Sequence, residues 1–574
     1  MTKIPNSQAH AALIARIDAA LVQDRLIALL PDGPLKAPEL RERISGVGQA
    51  LLDHATPGAT IAISCRTDRF VIAAVTACLR LGYPVLICDP QGTTEETSAL
   101  LKHCEASVLV TDIFPNPYAD QVPELFVLDA TNIKAGDEAR QFPLTTPPPT
   151  ALLVATSGTT DKPKVVALSH ANLLAQYQIF SDVYGFDANT RALNFLPLHH
   201  VDGVIRRPLL ALWYSAVLIR TRSFSPQASL DVIADIETHN ATHLITVPAM
   251  LRILHRAYDT RTFHMPPSMR FILCSADHLD ANLWRLAEQD FGVPVVNAYG
   301  LSEVVCDALI AGPDKESRVI GSIGVARGLV AKVIGADGQD CADGETGELV
   351  IIGDTVMQGY VSNQAGTAEV LQDGNFRTGD LVQRRADGVF LYMGRKKNVV
   401  VVGGVTINPE AVTEVLSSLP GVAEACAFGH NTETDEALLA AVCPLPGSQL
   451  DLDAINEECR KRLSPERQPS RLVILEQLPR RETGKVDQLA IAAAAFPNVS
   501  KKSVEEIAAT CFNVPIENLS DSSSPFDTPG WDSLAHMNFI ELLEETFDFT
   551  MSPGDVASLM SISDAIEIVR REMG

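Results

Sequence analysis

The sequence predicts an α/β protein with parallel sheets that ends in an all-helical tail, and three observations carry this. Short apolar runs alternate with helical patterns through the first third of the 574 residues. From about Gly321 the texture changes to brief alternating runs split by Gly and Asp. After Ala494 only helical spacing remains.

In order, "TIAISC" reads as a buried strand, "FVIAAVTACLRLG" as an apolar helix and "PVLICD" as a second strand. "TSALLKHCE" then reads as a helix and "ASVLVTD" as a strand. Strand and helix at this rhythm give a right-handed parallel layer. The proline-rich connector Pro143 to Thr150 leads into the strand "ALLVA", and the helix "HANLLAQYQIFSDVYG" follows a polar loop. "GSIGVARGLVAKVIGADGQDCADGETGELVIIG" reads as a small β unit. A compact α+β pattern comes next: helix "NPEAVTEVLSSL", strands "VAEACAFG" and "ALLAAVCPL", helix "LDAINEECRKRL". "AFPNVSKK" reads as a linker. The tail shows helices at "SVEEIAATCFN", "SLAHMNFIELLEETF" and "SISDAIEIVRREM".

A chain of this length accommodates two to four domains. A net charge of −25 argues against nucleic acid or anionic membrane as a bulk partner, yet leaves room for a nucleotide at a local site. The 11 cysteines are scattered without a C-x-x-C pair, so neither a zinc site nor a disulfide framework is expected. The N-terminus lacks an apolar signal core, and the longer apolar stretches are interrupted. A cytoplasmic protein is expected.

The run "VATSGTTDKPKVVALSHANL" places Ser, Thr, Gly and Lys between two apolar segments. Backbone N–H groups freed by small residues can face anionic oxygens, and Lys164 adds a charge. The spacing is not that of a Walker loop. The run also reads as a surface loop rich in turn formers. In "NAYGLSE", Tyr299 can stack on a base and Glu303 can hold a divalent cation beside a phosphate. "FRTGDL" offers Asp380 to sugar hydroxyls, "MGRKKNVV" sets Arg395 beside it, and "LPRRETGKVD" presents Lys485 on a Gly-containing loop. Taken singly, each also reads as turn chemistry or a solvated charge.

Together and in this order, these motifs resemble the adenylate-forming enzymes: acyl-CoA synthetases, luciferases and nonribosomal peptide adenylation domains. The resemblance spans roughly residues 10 to 494. The tail "GWDSLAHMNFIELLEE" resembles an acyl or peptidyl carrier domain. The resemblance implies an adenylation core over 1–396, a mobile C-terminal subdomain over 397–494 and a four-helix carrier over 499–574.

It also implies roles. Thr156, Ser157, Gly158, Thr159, Thr160 and Lys164 would wrap the ATP phosphates. Tyr299 would meet adenine, with Gly300 and Ser302 after it also in the nucleotide site, and Glu303 would bind Mg²⁺. Asp380 would hold the ribose, with Arg395 nearby. Lys485 would bridge the substrate carboxylate and the α-phosphate. His200 would gate the acyl pocket, and Lys397 would be the hinge. Ser533 would carry 4′-phosphopantetheine. Three positions depart from the family pattern: Asp161 for the usual Gly, Ser302 for Thr, and Asn398 for an acidic residue.

A gap-free alignment puts Asp202, Gly203, Arg206, Ile272, Cys274, Ala298, Cys306 and Asp307 around the substrate. A buried carboxylate without a partner is costly, so Asp202 facing an acyl pocket implies an amino group on the acid. Alternatively, Asp202 pairs with Arg206 one helical turn on.

The resulting expectation is an ATP- and Mg²⁺-dependent ligase that loads a small acid, favoured to be an amino acid, onto its own carrier. A phosphopantetheinyl transferase would prime it, and tailoring, condensation or synthase proteins would use the thioester in trans. The alternatives are an acyl- or aryl-acid ligase that hands its product to free coenzyme A, feeding a polyketide or lipid pathway, and a carrier-bearing scaffold with an inactive core.

Overall fold

The computed structural model describes residues 4–573 apart from 23, 119, 135, 137–146, 157–163, 226–227, 259–262, 397–399, 403–404, 408, 432–435, 446, 464–466, 481–485, 496–500, 513, 526, 532, 548 and 550. Ser157, Gly158, Thr159, Thr160, Asp161, Lys397, Asn398 and Lys485 therefore lie outside the described residues, as does the side chain of Ser533. The chain divides into two compact units, Met1–Lys396 and Lys397–Gly574.

Among the described residues, the first unit is built on three sheets. One runs in the order Gly359–Tyr360, Lys164–Ser169, Thr150–Thr156, Val85–Ile87, Thr60–Ser64, Ala106–Thr111, Phe126–Asp129. From Thr150–Thr156 onward its neighbours are parallel. The helix Asp68–Leu81 crosses between two of its strands and is buried almost all round, as its unbroken apolar run requires. Gly82 ends that helix in the left-handed conformation, at φ 73°.

A second sheet runs Val325–Ala326, Asp307–Ala311, Val295–Gly300, Phe271–Ser275, His243–Thr246, Arg191–Asn194, Val217–Ile219, Leu26–Leu30, Gly33–Lys36. The third is the small β unit, where Thr346–Ile352 pairs antiparallel with Asn375–Arg384, and Asn375–Arg384 with Phe390–Arg395.

The helix His170–Tyr184 starts immediately after strand Lys164–Ser169. Ser169 and Asn172 cap it reciprocally, and Gly185 closes it at φ 62°. Gln176, Phe180 and Tyr184 fall four residues apart, on one face. Residues 201–213 are helical throughout, but Ile205–Leu209 is π-helical and contains Pro208. Proline supplies no N–H for the ordinary ladder, which fits the wider turn.

In the second unit, the hairpin Val422–Asn431 with Glu436–Pro444 is extended by the parallel strand Arg471–Ile474. The helices Pro409–Ser417 and Leu452–Arg462 share an apolar cluster with it. After the helix Gln488–Ala495, four more α-helices follow among the described residues: Lys501–Phe512, Ser533–Phe547, Pro553–Ser558 and Ile562–Met573. They bury an apolar cluster of their own, in which Phe512 stacks on Trp531 at 4.1 Å. The helix Pro553–Ser558 was not evident from periodicity, because six residues are too few to show it. Among the described residues, no helix is long and apolar enough to cross a membrane.

Candidate active site

Three polar clusters meet near the ends of the first unit's strands, where open α/β sheets bind ligands. The first forms at Lys164, where the strand Lys164–Ser169 begins. Strand Gly359–Tyr360 pairs with Lys164–Ser169 so that Tyr360 lies opposite Val166. Lys164 is two residues before Val166 and so shares its face. The Lys164 Nζ lies 4.1 Å from the centre of the Tyr360 ring and 3.6 Å from Glu303 Oε1. The Tyr360 hydroxyl donates to the same Oε1 at 2.8 Å. Glu303 sits in the 3₁₀ turn Ser302–Val304, and its carbonyl accepts from the Met357 N–H at 2.8 Å. Thr156 Oγ1 donates to the Lys164 carbonyl at 3.1 Å, which ties together the ends of the two strands.

The second cluster is centred on Asp380, which is 1% exposed. The Tyr299 hydroxyl donates to one of its oxygens at 2.5 Å and Arg395 Nε to the other at 2.8 Å. The strands place Asp380 directly opposite Arg395. Burial pushes the Asp380 carboxyl up, against the pull of Arg395, and pushes the Tyr299 hydroxyl well up, so the tyrosine remains a donor.

The third cluster lies behind Glu303. Arg206 pairs with Asp307, donates to Ser275 Oγ at 3.1 Å and lies 3.5 Å from Asp202. Tyr184 donates to Asp307 at 2.5 Å, and Cys306 Sγ donates to Asp202 at 2.8 Å. Burial, together with the Asp202 charge, pushes Asp307 up to about 6 despite Arg206. Burial also pushes the Cys306 thiol up.

Val305 aims this segment. Its φ of 71° and ψ of −70° form a γ-turn, closed by the Cys306 N–H donating to the Val304 carbonyl at 3.0 Å. Such a backbone is strained for a β-branched residue. Gly300 and Gly203 permit close backbone approaches: a Cβ on either would fall 1.4 Å from the Cys306 carbonyl oxygen or 1.7 Å from that of Pro197.

Asp202 therefore has partners, and the arrangement is the pair with Arg206. Two further residues expected at the pocket are buried in an apolar cluster. Ile272 and Cys274 pack into an apolar cluster with Leu283 and Trp284. Ser275, one residue further on, is the one that meets Arg206. Neighbours along a strand face opposite sides, so Ser275 turns to Arg206 while Cys274 turns to the apolar cluster. Ala298 is buried in the cluster that also holds Cys306. His200 is exposed at the start of its helix, its ring 4.4 Å from that of His199, whose own ring faces Asp89. Burial brings His199 down to about 4.

Tyr360, Tyr184, Ser275 and Gln176 belong to these clusters but were not singled out from the sequence. Gln176 is fully buried, and its side-chain oxygen accepts from the Cys306 N–H at 3.2 Å. The i, i+4, i+8 spacing of Gln176, Phe180 and Tyr184 was the available signal, since it sets a glutamine on an aromatic face.

Comparison with known proteins gives a consistent result. Residues 32–361 match the AMP-binding enzyme family, and 411–485 match the AMP-binding enzyme C-terminal domain. The chain is 33% identical to the sulfoacetate–CoA ligase of Cupriavidus necator over 67% of its own length and 74% of the relative's. It is 30% identical to the indoleacetate–CoA ligase of Aromatoleum aromaticum, covering 72% and 84% of the two chains. Among solved structures, the ATP-bound MatB of Rhodopseudomonas palustris shares the fold at TM-score 0.76 and 23% identity, over 86% of this chain and 100% of that one. The O-succinylbenzoate coenzyme A synthetase of Bacillus subtilis, in complex with ATP and magnesium ion, aligns at TM-score 0.71 and 25% identity, over 83% and 98%. The kinship is with CoA ligases rather than with the nonribosomal peptide adenylation domains favoured from the sequence, and the two segments that match the family end at residue 485, before the helices that begin at Lys501.

Proposed function

The chain belongs to the AMP-binding enzyme family, an acid–thiol ligase by that kinship, and on this premise we propose that it activates a small carboxylic acid with ATP and transfers the acyl group to a thiol. The observation that best supports this is the segment 299–303. Tyr299 at one end shares a hydrogen bond with Asp380, and Glu303 at the other lies beside Lys164. A single turn thus ties a site suited to a sugar and base to a site suited to phosphates.

In this reading Asp380 accepts from a ribose hydroxyl and Tyr299 offers its ring to adenine. Glu303 provides the carboxylate oxygen that Mg²⁺ takes, so the residues present fit that ion. Bound there, Mg²⁺ would offset phosphate charge. Lys164 and the loop N–H groups do the same from the protein side, and Lys485 would bring a further cation to the acid. An oxygen of the acid bonds to the α-phosphorus while the bond to the bridging oxygen breaks, releasing pyrophosphate. A thiol sulfur then bonds to the acyl carbon, AMP departs with the electron pair, and the thiol proton passes to solvent.

Free coenzyme A is the acceptor we favour, since the relatives are CoA ligases. A second reading keeps the acceptor on the chain. Its support is that Ser533 opens the helix Ser533–Phe547, two residues after the buried Trp531. In that case a phosphopantetheinyl transferase would prime Ser533, and separate enzymes would collect the thioester.

The acid we favour is small and polar-ended rather than a long fatty acid, because Arg206, Asp307 and Ser275 make the cluster behind Glu303 polar. An amino group is not required, because Asp202 already meets Arg206 and Cys306. A cytoplasmic setting suits ATP use and 11 free cysteines.

The test is ATP–pyrophosphate exchange against a panel of acids, followed by mass analysis with coenzyme A. Exchange with release of acyl-CoA supports the favoured reading. An acyl mass increment on the protein that disappears in Ser533→Ala supports the second. If no acid gives exchange, both are wrong.

A further inference from the structure

Tyr360 touches both charged groups of the phosphate-side cluster, through two different parts of one side chain. Its hydroxyl donates to Glu303 Oε1 at 2.8 Å, while its ring lies 4.1 Å beneath the Lys164 ammonium. Lys164 and Glu303 are themselves 3.6 Å apart at that same oxygen. Tyr360 is 7% exposed, and its backbone is fixed by pairing with the strand that carries Lys164. Burial and the neighbouring carboxylate push its hydroxyl up, so it stays protonated as a donor.

We propose that Tyr360 is a positioning residue that hands the Lys164–Glu303 pair over to metal and nucleotide. The inference rests on the adenylation reading above. With no ligand, Lys164 and Glu303 neutralise each other. When they turn to a phosphate and a cation, each loses its partner and gains freedom to swing. The hydroxyl then keeps the Glu303 carboxylate aimed, and the ring face keeps Lys164 over the site. A hydrogen bond to an ionised acceptor is stronger than a neutral one, and an ammonium over a ring gains from the quadrupole.

The two halves of the side chain can be removed separately. Tyr360→Phe keeps the ring and deletes the donor to Glu303. Tyr360→Leu deletes both. The measurement is ATP affinity by calorimetry on the full-length protein, first with chelator and then across a Mg²⁺ titration. For Tyr360→Phe the half-saturating Mg²⁺ concentration should rise roughly tenfold, the scale of a hydrogen bond to a charged group, with metal-free ATP affinity unchanged. For Tyr360→Leu the metal-free affinity should also fall about threefold, the scale of a cation–π contact. Melting curves confirm that both variants remain folded.

The proposal is overturned if Tyr360→Phe leaves the Mg²⁺ dependence of a folded protein unchanged. It is equally overturned if Phe and Leu weaken metal-free and metal-dependent binding in the same proportion, which would mean a packing role only. If the wild type binds ATP with this metal dependence but exchanges no pyrophosphate with any acid, the adenylation reading fails while the Tyr360 inference is still decided by the binding data.

Discussion

Arg206 and Asp307 form an ion pair sealed on both sides, their side chains 1% and 2% exposed. Charges this far from water are tolerable only when paired and hydrogen-bonded, and here Ser275 and Tyr184 complete the shell. Asp202, at 3.5 Å from Arg206 Nε, adds a second carboxylate to one guanidinium. Removing the cation alone should therefore be the worst change. Arg206→Met is expected to lower the unfolding free energy by about 3–5 kcal/mol. Arg206→Met combined with Asp307→Leu should recover much of that loss, because the stranded carboxylate goes too. Urea unfolding of the two proteins decides it, and a double variant no more stable than the single one would refute charge stranding as the cause.

Gly300 is needed for space rather than for conformational freedom. A Cβ there would fall 1.4 Å from the Cys306 carbonyl oxygen, and backbone cannot swing aside like a side chain. Gly300→Ala must push the γ-turn at Val305 away, and with it Glu303 on one side and Asp307 on the other. The expected outcome is loss of ATP binding together with a stability drop of roughly 2 kcal/mol or more, although no functional side chain has been touched. Normal ATP binding by a folded Gly300→Ala protein would show that the turn has slack.

How far the sequence revealed the site depended on the kind of contact. Tyr299, Glu303, Asp380 and Arg395 stood out because each lies in a short motif with its own chemistry. Tyr360 did not, because its meaning comes from a strand pairing across almost two hundred residues, which no local pattern encodes. Ser275 was missed for a different reason: it follows Cys274 in one strand, and a step of one residue exchanges the apolar cluster for the side that meets Arg206. The partners of Asp202 were offered as an alternative by helical spacing, yet the choice needed the position of Arg206 in three dimensions.

His243 predicts a pH dependence of stability. It is fully buried, edge-on to Phe271 and Phe186, with Thr242 Oγ1 at 2.7 Å from Nδ1. Burial brings it down to about 3 from 6.5. In the window between those values the unfolded chain binds the proton and the folded one does not. Stability is thus fully present above pH 6.5 and is lost progressively as pH falls toward 3. At pH 5 this one group costs about 2 kcal/mol. His243→Phe, which fits the aromatic surroundings, should show a correspondingly shallower fall between pH 7 and 5 in urea midpoints. Identical pH profiles for the two proteins would show that His243 does not titrate in this way.

Asp380 predicts how the site discriminates among nucleotides. Both of its oxygens are already engaged, one by Tyr299 and one by Arg395, so the carboxylate is held rigidly with lone pairs to spare. A ribose hydroxyl would meet a preorganised acceptor. Asp380→Asn keeps the shape, removes the charge and breaks the ion pair with Arg395. It should raise KM for ATP roughly tenfold, the scale of a hydrogen bond to an ionised group, with KM for the acid little changed. A general loosening of the β unit would also raise KM, so the sharper test is a comparison of sugars. The wild type should prefer ATP to its 2′- or 3′-deoxy analogue, and Asp380→Asn should lose most of that preference while Arg395→Met retains more of it. If the variant discriminates between ribose and deoxyribose as well as the wild type does, then Asp380 serves only to hold Tyr299 and Arg395 together.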